Sequence, residues 1–323
     1  MSAHAVTTTG TVSQLSAADS LSCVVNTAGN LYCWGGIYQG DGSNYGSVGT
    51  PTQITAVSNV VDVELGANDE IYVYASDNSI DGWGGNQQGA LGVGTSNSAE
   101  KTKLDLPWTP RTRGISPQKV FEAGSGSTNC FVSANSDNNR LYCMGEGNPG
   151  KFANGGDTDN STPQLISALG TGVWDVAVGH NNVCAIDNSR DLYCWGKDDH
   201  GQLGNGGGSS TEKTVPGSPI LQEVIDVKIG NSHVCAIKSG GAVYCWGDNQ
   251  HGQVGDGSSG NDVTTPDATN GITNGVQLAL SAYTTCVLKF DDTVSCWGKN
   301  DDGQVGNGAV VTPQPNPVNL GTP

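Results

Sequence analysis

Short runs in which apolar and polar residues alternate recur along this chain, as in VWDVAVG (Val173 to Gly179) and VIDVKIG (Val224 to Gly230). Successive side chains of an extended strand point to opposite faces, so a period of two rich in Val and Ile predicts short, half-buried strands. Each run leads through a segment such as VCAI to a tight turn, and then to a phrase of fixed form. That phrase reads LYCWGKDDHGQLGNG at Leu192 to Gly206, VYCWGDNQHGQVGDG at Val243 to Gly257 and VSCWGKNDDGQVGNG at Val294 to Gly308. No stretch carries a 3.6-residue apolar period, so helix should be nearly absent.

Aligned on the Trp-Gly step, Trp34, Trp83, Met144, Trp195, Trp246 and Trp297 fall in one slot, with spacings of 49, 61, 51, 51 and 51 residues. Self-similarity at that period over nearly the whole length signals a repeat architecture of one domain, 1–323, rather than unrelated domains. Six units follow, at roughly 12–59, 60–118, 119–172, 173–223, 224–274 and 275–320.

The ten cysteines form five local pairs: Cys23 with Cys33, Cys130 with Cys143, Cys184 with Cys194, Cys235 with Cys245 and Cys286 with Cys296. If the residues between partners form a hairpin tipped by a sequence such as KSGGA (Lys238 to Ala242), the two cysteines lie opposite each other within disulfide reach. The second unit lacks both members, having Tyr72 near the first slot and Gly82 in the second. Joint loss suits a paired role. Zinc knuckles use Cys-x₂₋₄-Cys spacing, and a nucleophile would not be used five times, so structural disulfides are expected. Five of them imply an oxidising location: extracellular, cell-surface or periplasmic.

The phrase HVCAIKSGGAVYCWGDNQHGQVGDG (His233 to Gly257) resembles the repeat of the regulator of chromosome condensation family. Trp-Gly and Gly-Gln-Leu/Val-Gly-x-Gly recur at fixed offsets from Val12 to Leu320. The resemblance implies an all-β β-propeller, one four-stranded antiparallel blade per repeat, whose ring protects most sheet edges. Propellers of the family commonly have seven blades. Six units favour six blades here, and seven would require one built from degenerate ends. Residues 1–11 and 315–323 are expected to help close the ring by sharing a blade. The family hosts nucleotide exchange on a small GTPase, ultraviolet sensing and β-lactamase inhibition, so the resemblance carries the fold and not the function.

Composition narrows the function classes. Glycine is abundant, at 48 residues, without a Gly-X-Y period, which fits many tight turns. Lys plus Arg number 14 against 31 Asp plus Glu, a formal charge of −17. Nucleic acid and anionic membranes depend on basic contacts, so no nucleic-acid partner is expected. No apolar run reaches the 18 or so residues of a membrane span, and the opening MSAHAVTTTG has neither the basic start nor the apolar stretch of a leader. A soluble chain without membrane insertion is expected.

Candidate chemistry is sparse. The glycine loop lacks the Gly-Lys-Ser/Thr of a phosphate loop, and His200 and His251 share one slot on separate units, where solvated loop residues are expected. KNDDGQVGNG (Lys299 to Gly308) lacks the alternating ligands and distal Glu of a calcium loop. No metal, cofactor or catalytic residue is expected. Irregularity is concentrated in units one to three. The long 61-residue spacing holds SAEKTKLDLPWTPRTRG (Ser98 to Gly114), with Lys101, Lys103, Arg111 and Arg113 around Trp108. The first loop, GIYQGDGSNYG (Gly36 to Gly46), adds Tyr38 and Tyr45. Enlarged loops can carry function without disturbing packing, and aromatic and Arg side chains are frequent interface anchors. The expectation is a non-enzymatic secreted or surface scaffold that binds a protein or glycan through these seven residues. The alternatives are a self-assembling structural subunit of an extracellular assembly and a glycan-degrading enzyme.

Overall fold

The computed structural model describes residues 10–321 apart from 19, 39, 43–45, 67, 78, 107–120, 124–126, 134–136 and 209–211. Of residues 121–123 and of Ile37, Lys101 and Asp105, only the backbone is described. Six small antiparallel sheets follow one another along the chain as the blades of a propeller. Blade 1 holds β1 (Val12–Ala17), β2 (Leu21–Asn26), β3 (Leu31–Ile37) and β4 (Gly46–Gln53). Blade 2 holds β5 (Val60–Leu65), β6 (Ile71–Ala75), β7 (Ile80–Gly85) and β8 (Ala99–Asp105). Blade 3 holds β9 (Phe121–Ala123), β10 (Thr128–Val132), β11 (Leu141–Gly145) and β12 (Asn160–Leu165). In blade 4, β13 (Val173–Val178), β14 (Asn182–Asp187) and β15 (Leu192–Gly196) form three strands. Its fourth is reduced to two isolated bridges, Leu192 with Leu221 and Gly196 with Lys213. Blade 5 holds β16 (Val224–Ile229), β17 (His233–Lys238), β18 (Val243–Gly247) and β19 (Val263–Ala268). Blade 6 holds β20 (Gly275–Leu280), β21 (Thr284–Lys289), β22 (Val294–Gly298) and β23 (Gln314–Gly321).

Among the described residues β1 pairs within blade 1 and β23 within blade 6, while residues 1–9, on which the expected closure of the ring also depends, lie outside the described residues.

The repeated phrase is a construction rule. Each cysteine pair sits directly across the second and third strands of its blade, with Cα atoms 4.1 Å apart, and all five disulfides form. The glycine after the Trp slot has φ between +96° and +109° in all six blades. A Cβ there would run into a backbone carbonyl of the neighbouring strand, such as that of Ser232 at Gly247, so only glycine fits.

The core is distributed between blades. Five apolar clusters occur among the described residues, one at each junction from blade 1/2 to blade 5/6. The outgoing face of a blade presents its disulfide and flanking aliphatics, as with Cys235, Ile237, Val243 and Cys245. Against it lie the first two strands and slot tryptophan of the next blade, here Leu278, Val287 and Trp297. Stability is thus built from nearest-neighbour interfaces, each absent from an isolated blade.

Candidate functional site

A polar latch fastens each junction. The glycine loop after the third strand turns one backbone carbonyl toward the next blade, and at four of the five junctions the slot tryptophan of that blade donates its indole N–H to it. Trp83 donates to the Tyr38 carbonyl at 2.7 Å, and Trp195, Trp246 and Trp297 donate to those of Lys151, Gln202 and Gln253 at 2.9 Å each. The glycines make room for the partner ring, because a Cβ on Gly204 would meet Trp246 and one on Gly255 would meet Trp297. Further out, the loop rests on the next blade's outer strand, where the Gly206 N–H donates to the Thr264 carbonyl at 2.9 Å and that of Gly257 to Pro315 at 3.0 Å.

At junction 3/4 the loop also carries a buried cation. Lys151 is fully buried, its Nζ 2.8 Å from Glu146 Oε2 and 3.1 Å from the His180 carbonyl. Burial pulls its pKa down, and the contacts with Glu146 oppose that shift.

Among the described residues no such latch joins blade 6 to blade 1. The loop of blade 6 has the latching form all the same. Gly303 and Gly306 sit at φ of +80° and +77°, against +77° and +78° at Gly252 and Gly255. The Val305 N–H donates to Asn300 Oδ1 at 3.0 Å, as Val254 does to Asn249 Oδ1 at 3.1 Å. The Asp302 N–H donates to Gln304 Oε1 at 2.9 Å, as His251 does to Gln253 Oε1 at 2.8 Å. Yet Gln304 is exposed whereas Gln202 and Gln253 are buried, and Gly306 faces only Leu320 of its own blade. On the other side of the seam, Trp34 is only partly buried and its indole makes no hydrogen bond among the described residues.

The apolar surfaces agree. Leu15 on β1 is 67% exposed, while the residues at its position in later blades, Val63, Val176, Val227 and Leu278, are 2% exposed or less. On blade 6, Cys286, Leu288 and Val294 are partly exposed, where Cys235, Ile237 and Val243 of blade 5 are buried. Phe290, Val310 and Val311 of blade 6 are also exposed. Uncovered apolar surface often marks a binding site.

The residues that the sequence nominates are placed differently. Tyr38 packs at the edge of the junction 1/2 core and supplies the carbonyl that latches Trp83. Lys103 lies on β8 with Nζ 2.8 Å from Asp81 Oδ1, so its ammonium is engaged within its own blade. Lys101 lies on the same strand. Tyr45, Trp108, Arg111 and Arg113 fall outside the described residues. Of these seven, only the side chains of Tyr38 and Lys103 are described, and each is engaged within the fold. Sequence reasoning missed Leu15, Trp34, Leu288 and Gln304 because each obeys the repeat.

Metal-capable side chains meet at one point among the described residues. Ligand atoms of His200, Asp248 and Asp262 lie within 4.8 Å of one another, where the blade 4 loop meets that of blade 5. His200 Nδ1 is 3.0 Å from Asp262 Oδ2, a contact that already ties the two loops. One imidazole and two carboxylates suit a divalent cation of zinc or manganese type. His251 instead packs edge-on against Tyr283 of blade 6, with ring centroids 5.2 Å apart.

Fold and latch together define a β-propeller of serially latched, disulfide-stapled blades. The Regulator of chromosome condensation (RCC1) repeat matches residues 175–202, 224–253 and 276–304 in blades 4 to 6, and in a second form 191–237 and 240–288. The chain is 28% identical over 313 residues to the human E3 ubiquitin-protein ligase HERC2, covering 92% of this chain and 6% of that protein. It is 28% identical over 267 residues to the Arabidopsis thaliana ultraviolet-B receptor UVR8, covering 80% of this chain and 58% of the receptor. The Prp20p structure from Saccharomyces cerevisiae shares the fold at a TM-score of 0.77 with 16% identity, over 95% of this chain and 76% of that one. This chain therefore spans only part of the length of both curated relatives.

Proposed function

We propose that this chain is a non-enzymatic protein-binding scaffold that works in an oxidising, extracytoplasmic setting. The observation that carries the reading is the pair of unmated end faces at the seam, where a formed latch loop and an exposed Leu15 stand in surfaces that every other junction covers. Apolar strand faces rimmed by backbone donors and acceptors suit a polypeptide better than a sugar. Prp20p is described with binding to Gsp1p and histones, which fits a scaffold role for the fold. The setting is supported by five complete disulfides with no free cysteine.

The test is capture by the immobilised protein from its native surroundings, comparing the wild type with Leu15→Asp/Leu288→Asp and with Trp108→Ala/Arg111→Ala. An identified protein retained by the wild type and lost from the seam pair supports the reading. Loss from the second pair alone moves recognition to the basic segment, and no specific retention by any form sinks the scaffold. Alkylation of protein from its native source before denaturation tests the setting, and free thiols at the paired cysteines would overturn it.

A further inference from the structure

We propose that junction 4/5 holds a divalent transition-metal ion of zinc type, bound by His200 of the blade 4 loop and by Asp248 and Asp262 of blade 5. The site is independent of the seam and of the scaffold reading.

Ligand atoms held about 2.0–2.2 Å from such an ion stand about 3.0–3.5 Å from one another. His200 Nδ1 and Asp262 Oδ2 are 3.0 Å apart, and the ligand atoms of all three side chains lie within 4.8 Å of one another. Asp248 directly follows β18 and Asp262 directly precedes β19, two paired strands of one sheet, while His200 comes from the loop of the blade before. On the other side of the imidazole, Asp199 Oδ2 lies 4.0 Å from Nε2. Asp199 is itself held by Lys197 Nζ at 2.8 Å and by Gln202 Nε2 at 2.9 Å. A carboxylate at the distal nitrogen is the usual companion of a metal-bound histidine, because it orients the ring and makes the bound nitrogen more basic.

Charge points the same way. Asp248 is 6% exposed and accepts the Gln250 N–H on Oδ1 at 2.9 Å. Among the described residues no lysine or arginine pairs with it or with Asp262. A buried carboxylate beside a second one is costly without a cation. The side chains of His200 and Asp262 are partly exposed, which gives the ion a path in and water a place in its coordination.

The set is complete at this junction and broken at its neighbours. Blade 5 repeats the histidine as His251, but blade 6 has Lys299 and Pro313 where Asp248 and Asp262 stand. Blade 3 has both carboxylates, Glu146 and Asp159, but blade 2 offers Gln88 in the histidine slot, and Glu146 is engaged by Lys151. At junction 3/4 the three places hold Pro149, Lys197 and Glu212. An ion at 4/5 gives the blade 4 loop a second hold on blade 5 beside the indole latch, since the His200 N–H donates to Oε1 of Gln202, whose carbonyl receives Trp246.

The experiment uses the full, untagged, oxidised chain stripped by a chelator, in which every cysteine is in a disulfide and offers no thiolate. Zn²⁺ alone is titrated in calorimetry, with Ca²⁺ in a parallel arm, and thermal melting is followed with and without each ion. One Zn²⁺ per chain is expected to bind ahead of any weaker ions and to raise the melting temperature, with no comparable effect of Ca²⁺. Asp248→Asn keeps the contact between His200 and Asp262, yet it should weaken zinc at least about tenfold, as should His200→Ala. His251→Ala, in the same slot of the next blade, should bind like the wild type. If the buried Asp248→Asn does not fold, Asp262→Asn at its partly exposed position makes the same test.

Zinc binding that survives His200→Ala and the Asp variants would place the ion elsewhere and overturn the site. Absence of stoichiometric binding would reduce the cluster to an ion pair between His200 and Asp262. Preference for Ca²⁺, unaffected by His200→Ala, would overturn the class of ion. Each of these failures leaves the scaffold reading untouched.

Discussion

Junctions 4/5 and 2/3 are both closed by buried apolar clusters, built from different side chains. At 4/5 the outgoing face is the Cys184–Cys194 disulfide with Ile186, Leu192 and Leu203, and Trp246 fills the slot and donates to the Gln202 carbonyl. At 2/3 both the disulfide and the tryptophan are missing. Tyr72 stands directly opposite Gly82, its buried ring on the face that a disulfide occupies in the other blades. A Cβ on Gly82 would crowd the Leu106 side chain, which packs in that space. Met144 is buried in the tryptophan slot but has no N–H to give, and the Ala90 carbonyl, the counterpart of Gln202, is met instead by Tyr72 OH at 2.9 Å and Asn129 Nδ2 at 3.1 Å. Asn129 Nδ2 also donates to Tyr72 Oη at 2.8 Å. What every junction keeps is filled volume and a satisfied loop carbonyl, and the repeat's preferred residues are one way to supply them.

The comparison breaks most severely at the tryptophan. Trp246→Ala removes a fully buried ring and leaves the Gln202 carbonyl unpaired, so a loss of about 4 kcal/mol is expected in denaturant unfolding. Met144→Ala should cost less, since the latch at 2/3 does not pass through that side chain. Equal losses would mean that the indole hydrogen bond adds nothing to volume.

A second contrast lies in one slot at the start of the second strand. His233 pairs with Gly247 in blade 5, and Glu70 holds the same place in blade 2. Burial drives the Glu70 pKa up to about 7 and that of His233 down to about 3. For Glu70 the folded state binds the proton more tightly than the unfolded one. Its contribution is present below about pH 4.5 and lost as pH rises through about 7. For His233 the unfolded state takes the proton first, and stability falls as pH drops from about 6.5 toward 3. Glu70→Gln should raise stability above pH 7 by on the order of 2–3 kcal/mol and leave it nearly unchanged at pH 4. A pH-independent difference would mean that the Glu70 carboxyl takes up its proton over the same pH range in the folded protein as in the unfolded chain.

Much of this was legible in the sequence. The five disulfides, the six units and the packing role of the slot tryptophans follow from local spacing, because hairpin register and period are short-range properties. The paired change at Tyr72 and Gly82 was visible as a missing disulfide. That Asn129, one blade further on, takes over the hydrogen bond was not, since it depends on two blades meeting. The seam was illegible for a deeper reason: Leu15, Trp34 and Gln304 are ordinary members of the repeat, and whether they are covered depends on the angle accumulated over five junctions. No single residue carries that angle. The expected cluster of aromatic and basic anchors in units one to three came from departures from the repeat, and the described part of it is absorbed in the latch of Tyr38 and the ion pair of Lys103.

The disulfide side of the comparison sharpens next. Cys184→Ala/Cys194→Ala opens a loop of about ten residues, for which chain entropy gives about 2–3 kcal/mol, a model-dependent figure. Calorimetry of the double variant measures it. If blade 2 is held by packing alone, a reductant that destabilises the wild type should leave the local exchange protection of β6 and β7 the least affected of all the hairpins.

The smallest expected effect tests the substitute latch. Tyr72→Phe keeps the ring that replaces the disulfide and removes only the hydroxyl. The Ala90 carbonyl then retains Asn129 Nδ2, but Asn129 loses one of its two acceptors inside a buried site, and about 1 kcal/mol should be lost. Asn129→Ala should cost a similar amount. Because the two side chains share one network, the double variant should cost less than the sum of the single ones. Strict additivity would show that Tyr72 and Asn129 act independently and that junction 2/3 rests on volume alone.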